Sequence, residues 1–311
     1  MRTVAVVGAS GRQGGAQVRQ LLKAGFAVKA LSRSPDPFYG AGTPENVEVV
    51  PADLYDHDSL VSAFSGAEAV FHTHPLRARR DRAQIAHVVG TAAKEAGVQR
   101  VVWNTSSWIP DQPGDAFTYA GNTAGLNALF RSGVGATVFG SVLFMDNLLT
   151  NWARPFIVNE GRFVYAHKET TEANWISLDD VARIMIHSLD RPDMEGAWIN
   201  IGGPERLRPA QLASALSDVL GREIVYDACS PAEFGRHLVN AYGDEMDKEE
   251  GDAMADGIGQ FYEYNVNAPT RPFEVDEAEM ARRIPIELET FAEWAKRQDW
   301  RNSNAPRPPA G

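Results

Sequence analysis

The first fifteen residues, MRTVAVVGASGRQGG, constrain this chain more than any other stretch. Residues 3–7 are an uncharged run of Thr, Val and Ala, the composition of a strand covered on both faces. Glycines follow at Gly8, Gly11, Gly14 and Gly15, and Ala16, Val18, Leu21 and Leu22 then share one face of a helix over 13–22. Strand, glycine turn and helix together aim free backbone N–H groups and a positive helix end at a phosphate. Gly8 allows the tight turn, Gly11 lets a pyrophosphate approach the main chain, and Gly14 or Gly15 lets the helix pack closely on the strand. The glycine spacing is a weak signal by itself. The strand before it, the helix after it and the second strand just beyond give it weight.

The same alternation continues. Strands are expected over 27–31, 47–50 and 67–72, then a helix over 79–96, a strand over 100–104, a helix over 117–131 and a strand over 136–140. This predicts an α/β fold, a doubly wound parallel sheet with helices on both faces. Such sheets bind ligands outside the carboxyl ends of their strands. Arg33 follows the second strand, where an acidic residue would hold the ribose of NAD. Its guanidinium suits a 2′-phosphate instead, with Arg12 flanking it, and points to NADP(H). Asp53 has two open roles, meeting the adenine amino group or capping a helix over 58–64. Thr73, His74 and Pro75 border the cofactor, with His74 read as a packing residue. Thr105, Ser106 and Ser107 end the fifth strand, where a hydroxyl either polarises a substrate carbonyl or caps the backbone.

Beyond residue 140 the signals are shorter. Leu143, Phe144, Met145 and residues 147–149 are apolar enough to wall a pocket. Trp175, Ile176 and Ser177 lead into a helix near Leu178 whose first turn holds Asp179 and Asp180, favourable to the macrodipole. A strand over 197–201, a helix over 209–220 opened by Pro209, a strand over 223–226, and helices over 231–242 and 288–297 follow. The acidic run DEMDKEEGDAMAD at 244–256 reads as a solvated, partly helical cover, beside an aromatic patch of Phe261, Tyr262, Tyr264 and Phe273. A length of 311 residues exceeds most single cores, so one large domain with an appended lobe is expected. No stretch approaches the roughly 20 apolar residues that span a bilayer, and Met1 and Arg2 lead straight into the first strand without a signal peptide. The single cysteine, Cys229, reads as an apolar filler and fits a reducing cytoplasm. A formal net charge of −11 argues against direct binding of nucleic acid through a broad basic surface. The one basic run, Arg77, Arg79, Arg80 and Arg82, is a solvated helix start or a phosphate or partner contact.

GASGRQGG at the start, LSRSP after the second strand, SGVGATVFGSVLFMDNLL from Ser132 and WISLDDVARI from Trp175 resemble the NmrA-like proteins, atypical members of the short-chain dehydrogenase/reductase superfamily. The likeness continues through IGGPERLRPAQLASALSDVLGREIVYD, PAEF, FYEYN and the final FAEWAKR, to about Trp300. It implies a Rossmann domain over 1–150 that binds NADP(H), with the strand near 197–201 returning to it. A smaller α/β C-terminal lobe over 151–300 closes a cleft, and 301–311 form a disordered tail. The phosphate loop becomes Gly8, Ser10, Gly11, Arg12, Gln13 and Gly14. Arg33 takes the 2′-phosphate, Asp53 the adenine, and Thr73, His74, Pro75, Val142, Leu143 and Phe144 the nicotinamide side.

The resemblance also implies a function. Members of the family are either reductases of quinones, dyes or plant phenylpropanoids, or redox sensors that bind partner proteins. Superfamily reductases commonly place a Tyr and, four residues on, a Lys that lowers the Tyr pKa. Here Tyr119 is followed by Thr123, the place where NmrA-like members often keep a lysine counts to Asn122, and no lysine lies between Lys94 and Lys168. The expectation is an NADPH-dependent oxidoreductase acting on an aromatic small molecule, a conjugated carbonyl, quinone or cationic dye that needs little proton donation. Ser107 and Tyr119 are its candidate catalytic residues, and Trp103, Trp108, Trp152 and Trp175 a candidate aromatic lining. The alternative is a non-catalytic NADP(H) sensor regulating a protein partner, with the acidic lobe as contact surface; a redox-neutral lyase or isomerase is a third.

Overall fold

In the computed structural model, which describes residues 1–33, 42–75, 81–110, 116–241 and 246–300, β1 (Thr3–Val7) lies inside a seven-stranded sheet. Its companions are β2 (Ala27–Ser32), β3 (Val47–Pro51), β4 (Ala69–Thr73), β5 (Arg100–Asn104) and β6 (Ala136–Ser141). After a two-residue β7 (Leu143–Phe144) and the strands β8 (Arg162–Tyr165) and β9 (Ala173–Ile176), the chain returns as β10 (Trp198–Ile201) to the edge of that sheet. The order is β10-β6-β5-β4-β1-β2-β3, and every pair is parallel. The chain runs outward from β1 to β3, then crosses to the other side of β1 to start β4. That reversal opens a crevice at the carboxyl ends of β1 and β4.

Alternate residues of β1 enter opposite layers, as the pleat requires. Val4 and Val6 pack with Val18 and Leu21 of α1 (Arg12–Lys23) and with Val181, Ile184 and Met185 of α5 (Leu178–Leu189). Ala5 and Val7 pack with Leu60 and Phe64 of α2 (His57–Phe64) and with Ile85 and Val89 of α3 (Arg82–Glu95). Leu126 and Leu129 of α4 (Ala116–Arg131) join the same layer. The result is a three-layer α/β/α stack, the Rossmann-type doubly wound sheet expected from the sequence.

The rest of the chain builds a third apolar cluster from Leu143 to Trp300. It contains a three-stranded sheet in the order β11-β9-β7, with β11 at Arg206–Leu207, and a parallel pair of β8 with β12 (Val225–Ala228). Around these lie α6 (Pro209–Leu220), α7 (Pro231–Asn240), α8 (Lys248–Asn265), α9 (Glu277–Arg283) and α10 (Phe291–Lys296). Among the described residues no helix is long and apolar enough to cross a membrane.

Several expected elements move. The final strand falls at 225–228 rather than 223–226, because its bounds are set by pairing with β8, Val225 opposite Arg162 through Ala228 opposite Tyr165. The last helix starts at Phe291 rather than 288, where the Thr290 hydroxyl accepts the Glu293 N–H. The acidic run leads into an eighteen-residue helix, α8, capped by Asp247. Strands β7, β8, β9 and β11 and helix α9 were not anticipated; all are short, and the strands take their hydrogen bonds from distant partners. The readings on Arg77, Arg79, Arg80, on the prolines at 35 and 37, on residues 244 and 245, and on the 301–311 tail lie outside the described residues.

Candidate active site

The chain leaves β1 at Val7 and turns at Gly8, whose φ of +70° is open to glycine and costly for other residues. The Gly11 N–H donates to the Gly8 carbonyl at 2.9 Å, and the Gly15 N–H to the Gly11 carbonyl at 2.7 Å, which starts α1. A Cβ at Gly14 would collide with the Gly8 carbonyl oxygen and lie 2.7 Å from Ala9 Cα, whereas one at Gly15 would touch nothing nearer than Arg19 at 3.7 Å. Gly14 is therefore the residue that lets helix and strand meet. The N-terminus of α1 has Gly11 as its cap, no side-chain acceptor and no acidic residue in its first turn. By contrast α2, α3, α5, α7, α8, α9 and α10 are capped by Asp56, Asp81, Ser177, Ser230, Asp247, Asp276 and Thr290. No side chain caps the first turn of α1, the arrangement that suits an anion at a helix start.

Around this turn the structure distributes the expected residues unequally. Arg33 stands exposed just beyond β2, the strand beside β1. The Arg12 guanidinium donates to the Asp146 carbonyl at 3.1 Å, in the short 3-10 helix after β7. Asp53 does not cap a helix. Its carboxylate accepts the Tyr55 N–H at 2.9 Å, while Asp56 takes the Asp58 and Ser59 N–H groups and caps α2. Thr73, His74 and Pro75 do follow β4, and Gln17 of α1 donates to the Thr73 hydroxyl at 3.3 Å. Burial, then the charge of Arg82, lowers the His74 pKa to about 4, and burial lowers that of His72 to about 3. Both imidazoles are neutral at pH 7, so His74 packs as expected and is no acid there. Burial pushes the Cys229 thiol up to about 11, in keeping with a filler.

The end of β5 is tied to the glycine turn through Gln13, Ser106 and Asn104, of which sequence reasoning passed over only Asn104. Asn104, fully buried, donates to Gln13 Oε1 at 2.7 Å and accepts the Ser141 hydroxyl at 2.8 Å. Gln13 Nε2 in turn donates to Ser106 Oγ at 2.9 Å. Ser106 has a φ of +61°, the left-handed region, which turns its hydroxyl toward Gln13. Arg82 donates to the Thr105 carbonyl at 3.2 Å. A buried amide closing the apolar run RVVWN was the available signal, because an enclosed Asn must find partners.

Beside this turn lie the two catalytic candidates. Ser107 Oγ accepts from Asn122 Nδ2 at 2.8 Å. Tyr119 is buried, donates its hydroxyl hydrogen to Asn265 Oδ1 of α8, and meets Trp108 edge-on with ring centroids 5.4 Å apart. Its other neighbours are Phe261 and Tyr264. Val142 and Phe144 pack in the same cluster as Trp108 and Tyr119, but Leu143 points the other way, into the cluster of Trp152 and Trp175. The four tryptophans do not form one lining. Trp103 lies on the far face of the sheet against His72, Trp108 lies beside Tyr119, and Trp152 and Trp175 both pack on Tyr165. They are spread over three apolar clusters, a division that composition alone does not reveal.

Known proteins resemble the chain throughout this frame. An NAD(P)H azoreductase of Xenophilus azovorans is 31% identical over 226 residues, 72% of this chain and 76% of that protein. An NADPH-dependent quinone oxidoreductase of Escherichia coli, solved with NADPH, superposes with a TM-score of 0.71 at 23% identity, over 94% of this chain and 98% of that one. NmrA, a negative transcriptional regulator solved with NADP, superposes with a TM-score of 0.71 at 20% identity, over 96% and 98% of the two chains. The profile of the NmrA-like family matches residues 1–295. With the glycine turn, the parallel sheet and nearly all of the C-terminal cluster inside that match, the chain belongs to the NmrA-like family.

Proposed function

We propose that this protein is an NADPH-dependent oxidoreductase that reduces an aromatic, conjugated acceptor of the quinone or azo-dye kind. The observation that carries the reading is the uncapped start of α1, set on β1 by Gly14 and turned by Gly8, beside an exposed Arg33. Residues Gly8, Ser10, Gly11, Arg12, Gln13 and Gly14 hold the pyrophosphate. Arg33 pairs with the 2′-phosphate, Asp53 faces the adenine, and Thr73, His74, Pro75, Val142 and Phe144 flank the nicotinamide. When bound, the reduced nicotinamide supplies the hydride. The chain supplies orientation and a dry wall, and Ser107 a hydrogen bond to the acceptor. Tyr119 meets Asn265 and has no lysine at 122 or 123, so it stiffens the wall unless α8 draws back. The azoreductase and quinone oxidoreductase among its relatives support this acceptor class.

The test is binding followed by turnover. Fluorescence titration should show NADPH bound more tightly than NADH. Arg33→Ala should weaken NADPH about tenfold or more, the worth of a charge-assisted hydrogen bond, and leave NADH alone. NADPH absorbance should then fall on adding benzoquinone or an azo dye. No binding of either nucleotide overturns the cofactor reading; tight binding without oxidation by any acceptor overturns the enzyme.

A further inference from the structure

Asn122 stands on α4 where the resemblance implied a lysine, and its amide is spent in a different way. Nδ2 lies 2.9 Å from the Trp108 carbonyl oxygen and 2.8 Å from Ser107 Oγ. A carbonyl oxygen only accepts, so the atom facing Trp108 must be the NH2 group, and the amide cannot be turned round. One amide hydrogen goes to Trp108 and the second to Ser107. An amide nitrogen offers no lone pair to a hydroxyl, so the Ser107 hydrogen must point elsewhere. Among the described residues no acceptor takes it. The backbone of Ser107 is held too, since the Thr105 hydroxyl donates to its carbonyl at 2.6 Å. The neighbouring Ser106 accepts from Gln13 of the glycine turn, which places Ser107 at the mouth of the same crevice. Asn122 is 2% exposed and Ser107 half-buried. The donor that sets the hydroxyl is thus buried more deeply than the serine that carries it.

We propose that Asn122 is a positioning residue that fixes the Ser107 hydroxyl as a one-way hydrogen-bond donor, making an oxyanion site for an acceptor whose oxygen gains negative charge. This rests on the oxidoreductase reading for its role in turnover, but the site itself is a property of the two side chains. A lysine here would have acted by charge, on a phenol. The neutral amide acts by direction, on an alcohol. Ser107 donates a hydrogen bond and keeps its proton. Stabilisation of this kind counts most where oxygen charge develops, as in a quinone, and least for a cationic dye that loses charge on reduction.

The test uses 2,4-dinitrophenolate, a coloured aromatic oxyanion, titrated by absorbance into the protein loaded with NADP. Wild type should bind it, Ser107→Ala should weaken binding about tenfold, and Asn122→Ala severalfold. The double variant should bind no more weakly than Ser107→Ala alone, because Asn122 works through Ser107. If Asn122→Ala unfolds, the isosteric Asn122→Asp carries the test. Its ionised carboxylate would capture the Ser107 hydrogen, so affinity should fall as pH rises, a limb absent from wild type and smaller when Ser107 is Ala, where only charge repulsion remains. In turnover, Asn122→Ala should lower kcat for benzoquinone at least several times more than for a cationic triphenylmethane dye, with KM for NADPH held. Failure of wild type to bind the phenolate, additive losses in the double variant, or equal losses with both acceptors would overturn the proposal. Phenolate binding with the expected coupling but no NADPH oxidation would sink the oxidoreductase reading and leave the oxyanion site standing.

Discussion

Ser106 and His72 show what single residues are made to do around the crevice. A non-glycine residue at a φ of +61° costs about 1–2 kcal/mol, and here Gln13 and Asn104 hold it, one at the hydroxyl and one at the N–H. His72 has the opposite circumstance. Neither of its ring nitrogens has a hydrogen-bond partner among the described residues, and burial lowers its pKa from 6.5 to about 3. His167 is lowered to about 3 and His74 to about 4, in each case first by burial. The folded values lie below the unfolded one, so the unfolded chain binds more protons in acid. Stability from these histidines is fully present above pH 6.5 and is lost as pH falls toward about 4 for His74 and about 3 for His72 and His167. Replacing His72 with Phe, which fills the space and never titrates, should flatten the decline by up to about 1.4 kcal/mol per pH unit. Urea unfolding at a series of pH values measures it; an unchanged slope would mean the imidazole is charged or partnered in the native protein.

At the scale of elements, the start of α1 is left open in the way that binding an anion requires. Seven other helices spend a Ser, Thr or Asp on their first N–H groups, and α1 spends none. The closeness of α1 to β1 gives a prediction in two halves. Gly14→Ala forces its Cβ into the Gly8 carbonyl and should cost about 1–3 kcal/mol, the usual penalty of overpacking, with NADPH affinity falling as the turn is pushed open. Gly15→Ala meets only ordinary contacts and should instead stabilise the helix, by as much as about 1 kcal/mol. Denaturant melts of the two variants decide it, and equal effects would show that the helix does not sit on β1 through Gly14.

For the whole molecule, the third cluster draws on residues from Leu143 to Trp300, and its final element closes it. Trp294 is fully buried, 5.6 Å from the Phe291 ring and 5.9 Å from Trp300. Trp294→Ala should destabilise the protein by about 3–5 kcal/mol, read as a lower thermal midpoint. The NADPH affinity of the folded fraction should hold, since no expected cofactor residue lies in α10. Long-range ties reach α5 from both ends of the chain: Arg19 and Arg297 both pair with Asp179, and the buried Asp180 accepts the Glu289 N–H at 2.8 Å. A chain joined in this way should unfold in one transition, and two separate transitions for wild type would contradict it.

Local chemistry was enough for the sheet and the glycine turn. Uncharged runs, glycines where φ turns positive and apolar helix stripes all act over a few residues, so β5 and α6 fall at the bounds expected for them. The positions of Arg33 and of the residues after β4 at strand ends were legible because the strands before them were. The sequence could not order the short strands β7, β8, β9 and β11, whose hydrogen bonds come from partners far along the chain. Nor could it choose between Gly14 and Gly15, separate Leu143 from Val142 and Phe144, or part the four tryptophans, because those outcomes depend on which face meets which layer. The links of Asn122 to Ser107, Asn265 to Tyr119 and Asn104 to Gln13 span 15 to 146 positions of chain. A buried amide announces only that it needs partners; folding decides who they are, and that decision sets which hydrogens remain to meet a ligand.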